Sequence, residues 1–238
     1  MIFGIMRDDQ NKKNKRPLSG TAIGTSAEVS VIVPACDAAD TIQATIKSLV
    51  TERALIRELI LVDDGSSDDT AAVAEAAAHD GGFSTIVLRT PNRGVGAARN
   101  LGARYARGAL IYFIDADDTL VPGGVTTLVH ALRNRPYAGA AYGAAINRRA
   151  GRKDSLIVPS PLSADGATNS IGLLRDRIRG VLTGSYILRE HVVRSIMFHE
   201  TMVYDEDICF WAQVFARTQV VTVDAPIFIY NASSRRAH

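Results

Sequence analysis

The sequence predicts an α/β protein, a single domain built on a mostly parallel sheet with helices wound over both faces. Three observations carry that prediction. Short apolar runs rich in Val and Ile recur through the first half: VSVIVP at 29–34, ELILVD at 58–63, STIVLR at 84–89 and ALIYFID at 109–115. They are nearly continuous rather than alternating, the pattern of strands buried on both faces of a parallel sheet. Helical segments fall between them, and the 238-residue chain, 47% hydrophobic, is long enough to fill one large core.

Each element has its own signal. The first helix is predicted over 39–50 and the second over 68–78, where Ser67 or Asp68 is the expected N-cap. A third, Ala- and Arg-rich, runs over 95–106 and is ended by Gly108. Four strands alternating with helices argue a doubly wound sheet, whose ligands bind beyond the carboxyl ends of the strands. The second half is less regular: a helix at 122–134, apolar stretches at 138–146 and 155–158, and GSYILRE at 184–190 leading into another helix. The basic stretches NRRAGRK and RDRIRG read as solvated faces, and Trp211, four residues after Asp207 on the same helical face, reads as core.

Charge and cysteine content exclude several classes. A formal net charge of +2, from 27 Lys and Arg against 25 Asp and Glu, gives no global field directing the chain to nucleic acid. Cys36 and Cys209 lack the spacing of a disulfide framework or a zinc site. Residues 1–27 read as a tail whose apolar start is broken by Gly4, too short for a signal-peptide core, and whose basic run from Lys12 to Arg16 reads as solvated but could touch an anionic membrane. No stretch approaches the ~18 apolar residues of a spanning helix. The expected setting is the cytoplasm, with peripheral contact at the inner face of the cell membrane as a variant of it.

The predicted strand ends are unusually acidic. Asp37 follows the first, VDDGSSDDT places Asp63 and Asp64 after the second, and DADD places Asp115, Asp117 and Asp118 after the fourth. Two carboxylates about 4 Å apart repel by roughly 4 kcal/mol at an effective dielectric of 20. A bound cation relieves this, and hard oxygen ligands suit Mg²⁺ or Mn²⁺, which complete their shell with water and phosphate oxygens. Turn and capping chemistry accounts for Ser67 and Asp68 but not for Asp63, at the end of a buried strand.

SVIVPACDAADTI, ELILVDDGSSDDT, PNRGVGAARNLGARYARGALIYFIDADDTLVP and YDEDICFWAQV, in that order, resemble the family 2 glycosyltransferases of the Rossmann-like GT-A fold over residues 28–235. The resemblance implies a nucleotide-sugar site formed by Pro34, Ala35, Asp37, Asp63, Asp64, Arg99, Asp115, Ala116 and Asp117. Asp63 and Asp64 would contact the nucleoside, uridine first with thymidine or guanosine as alternatives, and Asp117 would carry a Mn²⁺ or Mg²⁺ ion on the diphosphate. It makes Asp207 the base that deprotonates the acceptor hydroxyl, and sets Gly184, Ser185 and Glu206 on the acceptor or sugar side. The acceptor implied is a glycan or lipid-linked saccharide. Cys36 and Asp37 stand where the family often has an aromatic residue and Asn, and Arg235 or Arg236 would neutralise the leaving group. The chain lacks the QxxRW motif of processive synthases, so one sugar per encounter is expected. At the start of the DED helix the dipole is expected to lower the Asp207 pKa.

Two other readings stand beside this one. FIDADDTL also resembles the first motif of haloacid dehalogenase-type phosphatases, with Asp115 as nucleophile and Asp117 as general acid, although Asp118 stands where that family has Gly and the motif comes after three strand–helix units. A nucleotide-sugar-binding module without chemistry would keep the fold alone. The GxG of PNRGVG is a weak dinucleotide signal, because Arg99 takes the place of the third glycine.

Overall fold

The computed structural model describes residues 28–202 and 204–232. The tail over 1–27 and the arginines Arg235 and Arg236 lie outside the described residues. Strands β1 (Val29–Ala35), β2 (Ile56–Asp64), β3 (Thr85–Thr90) and β4 (Leu110–Phe113) follow the four apolar runs. Between them lie α1 (Ile42–Ser48), extended by a 3-10 turn over Leu49–Glu52, then α2 (Thr70–Asp80) and α3 (Val95–Tyr105). The second half adds β5 (Thr119–Leu120), α4 (Gly124–Arg133), β6 (Ala138–Arg148), β7 (Ser155–Ile157) and α5 (Gly166–Leu174). It closes with β8 (Tyr186–Arg189), α6 (Glu190–Ser195), α7 (Glu206–Arg217) and β9 (Gln219–Asn231).

All the strands join one sheet in the order β3-β2-β1-β4-β8-β6-β9-β5, with β7 paired to β6. The first four are parallel, as predicted. β8 runs antiparallel to β4 and to β6, β9 lies parallel to β6, and β5 is antiparallel to β9. The strand period of two explains why the first runs are apolar throughout. Val29, Val31 and Val33 of β1 enter one core with Leu59 and Leu61, while Ile32 enters the opposite core with Ile60 and Val62. The second core is aromatic around Trp211, which is fully buried and meets Tyr186 edge-on at 4.6 Å between ring centroids.

Boundaries shift where side chains compete with the ladder or the helix. α1 starts at Ile42 rather than 39, because the Ala39 N–H is taken by Asp68 at 3.1 Å. The N-cap of α2 is Asp69, while Asp68 accepts the Thr70 N–H at 3.0 Å and Ser67 turns to Asp37. The fourth strand stops at Phe113, so Asp115 stands in the turn beyond it.

α3 packs closely on β1 and β2 at Gly102, where a Cβ would stand 2.5 Å from Ile32 Cγ2 and 3.3 Å from Val62 Cγ2. Helix propensity favours Ala over Gly by about 1 kcal/mol, but overpacking of a filled core costs about 1–3 kcal/mol. Gly102→Ala is therefore expected to destabilise the protein, read as a lower urea midpoint with an unchanged m-value; a raised midpoint would show that the helix simply moves outward.

Candidate active site

The carboxyl ends of β1, β2 and β4 form one rim, since Pro34 and Ala35 pair with Val62 and Asp63 across β1 and β2. Hydrogen bonds already compensate most of its acidic residues. Asp37, at φ 47°, accepts the Ser67 N–H at 2.8 Å and the Ser67 hydroxyl at 3.0 Å, and its own N–H donates to Ser66 Oγ at 3.0 Å. The Asp37 joint therefore ties the first strand–helix turn to the second. Cys36 Sγ lies 3.4 Å from the Asn92 amide that donates to it. Asp63 accepts the Ser66 N–H at 3.0 Å, so the turn does use this charge, contrary to the sequence expectation, and Arg89 Nε lies 4.0 Å away. Asp64 is buried and accepts the Arg93 and Gly94 N–H groups at 2.9 and 2.8 Å, which fixes the entry to α3. Gly65, at φ 79°, allows this approach: a Cβ there would stand 2.6 Å from the Asn92 nitrogen.

In DADD the neighbouring aspartates have separate tasks. Ala116 is buried, and its carbonyl accepts the Thr45 hydroxyl at 2.9 Å, which pins the loop to α1. Asp118 is buried and accepts the Asn231 N–H at 2.9 Å, while the Asn231 amide donates to the Asp117 carbonyl at 2.7 Å. Asn231 is a site residue that the sequence reading missed; it lies 113 positions from Asp118, and only its place in YNASS hinted at it. Asp117 is half-buried at the rim, between these anchored neighbours. Among the described residues no three His, Cys, Asp or Glu side chains converge on a metal position. A single rim carboxylate nevertheless fits a cation of the Mg²⁺ type, which takes one or two protein carboxylates and completes its shell with phosphate oxygens and water.

Arg99 lies within the wall rather than in the groove where a phosphate would meet it. It is 3% exposed, and its guanidinium reaches Asp115 and Glu206, each at 2.8 Å. It stacks over the Phe198 ring at 5.2 Å, and Phe198 in turn stacks face to face on Phe210 of α7. One arginine thus joins the DADD loop to the start of α7, although these carboxylates are far apart in sequence. Its neighbour Asn100 faces inward, bonding the Phe198 backbone in both directions and Glu200 at 3.0 Å.

α7 begins at Glu206, so Asp205 precedes it as a left-handed N-cap at φ 60° rather than standing in the first turn. Its inward face carries Phe210, Trp211, Val214 and Phe215. Asp207 projects from the first turn, and burial pushes its pKa up, with the Glu206 charge adding to the rise. Arg99 and the Ile208 N–H hold it down without cancelling these effects. The expectation of a dipole-lowered pKa is thus overturned, because loss of water outweighs the partial charge of one helix end. Tyr186 and Trp211 are fully buried in the aromatic core, and Arg99 Nε is buried with no hydrogen-bond partner among the described residues. Burial raises the Tyr186 pKa, the Arg99 charge opposes that rise and the Asp207 charge adds to it.

Gly184 and Ser185 stand behind the rim and do not reach its surface. Both are buried; the Gly184 carbonyl accepts the Tyr112 hydroxyl at 2.7 Å, and the Ser185 hydroxyl donates to the Leu182 carbonyl at 2.6 Å. They shape the turn that leads into β8. On the outer side of the rim, a groove of about 340 Å³ between β3 and α3 is lined by Arg89, Arg93, Arg104 and Tyr105, and the aspartates lie outside its lining.

Removing one partner from a buried ion pair costs about 3–5 kcal/mol, because the other charge stays desolvated. Arg99→Met is expected to destabilise on that scale in chemical denaturation and Arg99→Lys by less; equal stability of Arg99→Met and the parent would contradict the buried network. Asp207 has the opposite sign. Its raised folded pKa makes ionisation oppose folding, an effect absent below the ordinary carboxylate range and complete above the raised value. Asp207→Asn should raise the thermal midpoint at neutral pH, and the gain should vanish in acid.

Known proteins supply an independent comparison. The sequence profile described as Glycosyl transferase family 2 matches residues 30–184. The succinoglycan biosynthesis protein ExoU of Rhizobium meliloti (strain 1021) is 30% identical over 204 residues, covering 79% of this chain and 57% of that protein. A cholesterol galactosyltransferase of Borreliella burgdorferi is 29% identical, covering 82% of this chain and 57% of its own length. The chain thus spans a little over half the length of these relatives. Among solved structures, S. aureus TarS 1–349 in complex with UDP-GlcNAc matches with a TM-score of 0.71 at 19% identity, over 88% of this chain and 60% of that one. Glucosyl-3-phosphoglycerate synthase from Mycobacterium tuberculosis, in complex with Mn²⁺, UDP and phosphoglyceric acid, matches with a TM-score of 0.62 at 23% identity, over 88% and 72%. The fold is that of these GT-A enzymes, and the chain belongs to glycosyl transferase family 2.

Proposed function

We propose that the protein transfers one sugar per encounter, with inversion, from a UDP-sugar to a hydroxyl on a glycan or lipid-linked saccharide. The observation that carries this reading is the Arg99 bridge, which sets the DADD loop and the Glu206–Asp207 pair on one rim. A UDP complex and a UDP-GlcNAc complex of TarS, on the same fold, support the choice of donor. The nucleoside would lie at the ends of β1 and β2, between the Asp37 joint and Asp63. Asp117 would hold Mn²⁺ or Mg²⁺, a role supported by the Mn²⁺ complexes of the mycobacterial synthase. When bound, the cation supplies positive charge to the leaving diphosphate.

The chain's own residues do the rest. The acceptor hydroxyl attacks the anomeric carbon, the bond from that carbon to the diphosphate oxygen breaks, and the hydroxyl proton passes to the Asp207 carboxylate. A raised pKa makes Asp207 a stronger base while leaving it ionised only above that value. Glu206, tied to Arg99, positions Asp207 rather than taking the proton itself. The phosphatase reading loses support here, because its required nucleophile, Asp115, is ion-paired to Arg99 at 2.8 Å. Setting and acceptor belong to the same proposal: no helix among the described residues is long and apolar enough to cross a membrane, and we place the protein in the cytoplasm or at the membrane's inner face.

Asp207→Asn should bind UDP as the parent does and lose transfer by about 10²–10⁴, the scale of general-base removal. Parallel loss of UDP affinity would give Asp207 a binding role instead. In the parent, the rate should fall on acidification along a single-proton limb lying above the ordinary carboxylate range, since protonated Asp207 cannot accept the acceptor proton. Asp117→Ala should remove the Mn²⁺-dependent part of UDP affinity in calorimetric titration, and UDP binding that ignores a chelator in the parent would count against the cation.

A further inference from the structure

Four large apolar side chains are exposed on the acceptor side: Leu156 (53%), Val158 (51%), Ile171 (51%) and Leu174 (60%). Isolated exposed hydrophobics are ordinary, but these are gathered by the fold. Leu156 in β7 and Val158 just beyond it are two residues apart, and Ile171 and Leu174 are three apart on α5, so each pair shares a face. The segment over 175–180 joins the two pairs. The Ser160 and Arg179 backbones bond each other's residues at 3.3 and 2.9 Å, and the N–H groups of Arg177 and Ile178 return to the Gly172 carbonyl on α5.

The same shelf is basic. Residues 148–179 hold seven Lys and Arg against three Asp, which leaves 20 basic against 22 acidic residues in the rest of the chain. All three acids are engaged: Asp154 with Arg148, Asp176 with Arg179, and Asp165 as the N-cap of α5. Arg149, Arg152, Lys153, Arg175 and Arg177 are exposed and have no acidic partner among the described residues. Exposed leucine and isoleucine interleaved with unpaired arginine fit an anionic bilayer surface, where the aliphatic groups enter the headgroup boundary and the cations meet lipid phosphate.

We infer that this shelf docks the protein on an anionic lipid surface. Its place in the fold sets the consequence. β6 ends at Arg148 opposite Asn231, which bonds Asp117 and Asp118, and the segment after Gly180 leads to Gly184 at the back of the rim. A bilayer on the shelf therefore borders the acceptor side of the groove and presents hydroxyls carried on lipid. This consequence rests on the proposed transfer, whereas the docking does not.

The test is flotation of the full chain with vesicles of phosphatidylcholine alone or containing phosphatidylglycerol. The expected result is binding only to the anionic vesicles, released by high salt, and at least about tenfold weaker for Leu156→Ser/Leu174→Ser and for Arg149→Glu/Arg152→Glu/Arg177→Glu. Each variant should keep the parent's circular-dichroism spectrum and a cooperative thermal transition, which shows that it has folded. Absence of vesicle binding by the parent would overturn the inference. So would folded shelf variants that bind as the parent does, which would assign the contact to the run from Lys12 to Arg16. A dimer that dissociates on Leu156→Ser/Leu174→Ser without any lipid binding would make the shelf a self-association face instead. None of these readouts requires sugar transfer, so failure here leaves the transferase reading untouched.

Discussion

The buried guanidinium of Arg99 is the constraint on which the candidate site depends. A lone arginine moved from water into a protein interior pays a desolvation penalty of several kcal/mol, and only well-placed carboxylates recover it. Here the carboxylates come from two segments that share no sequence neighbourhood, Asp115 in the loop after β4 and Glu206 in the first turn of α7. Satisfying one arginine therefore ties the parallel half of the sheet to the mixed half. The aromatic stack of Phe198 on Phe210 covers the guanidinium and makes the penalty for breaking the pair large.

The surrounding charges follow from this arrangement. Asp207 is next to Glu206, and the arginine that would relieve it is already shared between two other carboxylates. Burial and the neighbouring charge raise its pKa, with Arg99 as the counterweight. A carboxylate held in this way is unfavourable for folding and favourable for accepting a proton, the combination that functional sites commonly store. Elsewhere on the rim Asp37, Asp63, Asp64 and Asp118 accept backbone N–H groups, which compensates their charge where they stand.

The parallel half was legible in the sequence because burial on both faces writes itself as continuous apolar runs, and the positions of Asp63, Asp64 and Asp115 followed from where those runs stop. Their partners were not legible. The Ser66 and Gly94 N–H groups and Asn92 are brought in by loops, and Asn231 by the end of β9, whose approach depends on tertiary packing, and no local period reports it. The burial of Arg99 was hidden for the same reason, since a basic residue near an expected diphosphate and one buried between two acids look alike in one dimension. In the mixed half, β6 reads AGAAYGAAINR, too small and too varied for a clear strand signal, and nothing in NRRAGRK and RDRIRG reports that the neighbouring Leu156 and Leu174 stay exposed.

The central claim is that the carboxylate rim, rather than the arginine-lined groove between β3 and α3, receives the nucleotide. A crystal structure with UDP and Mn²⁺ bound tests it most directly. The account predicts the diphosphate and cation at Asp117 and the base beside Asp63 at the ends of β1 and β2. A nucleotide resting on Arg89, Arg93 and Arg104 instead, with no cation at Asp117, would contradict it.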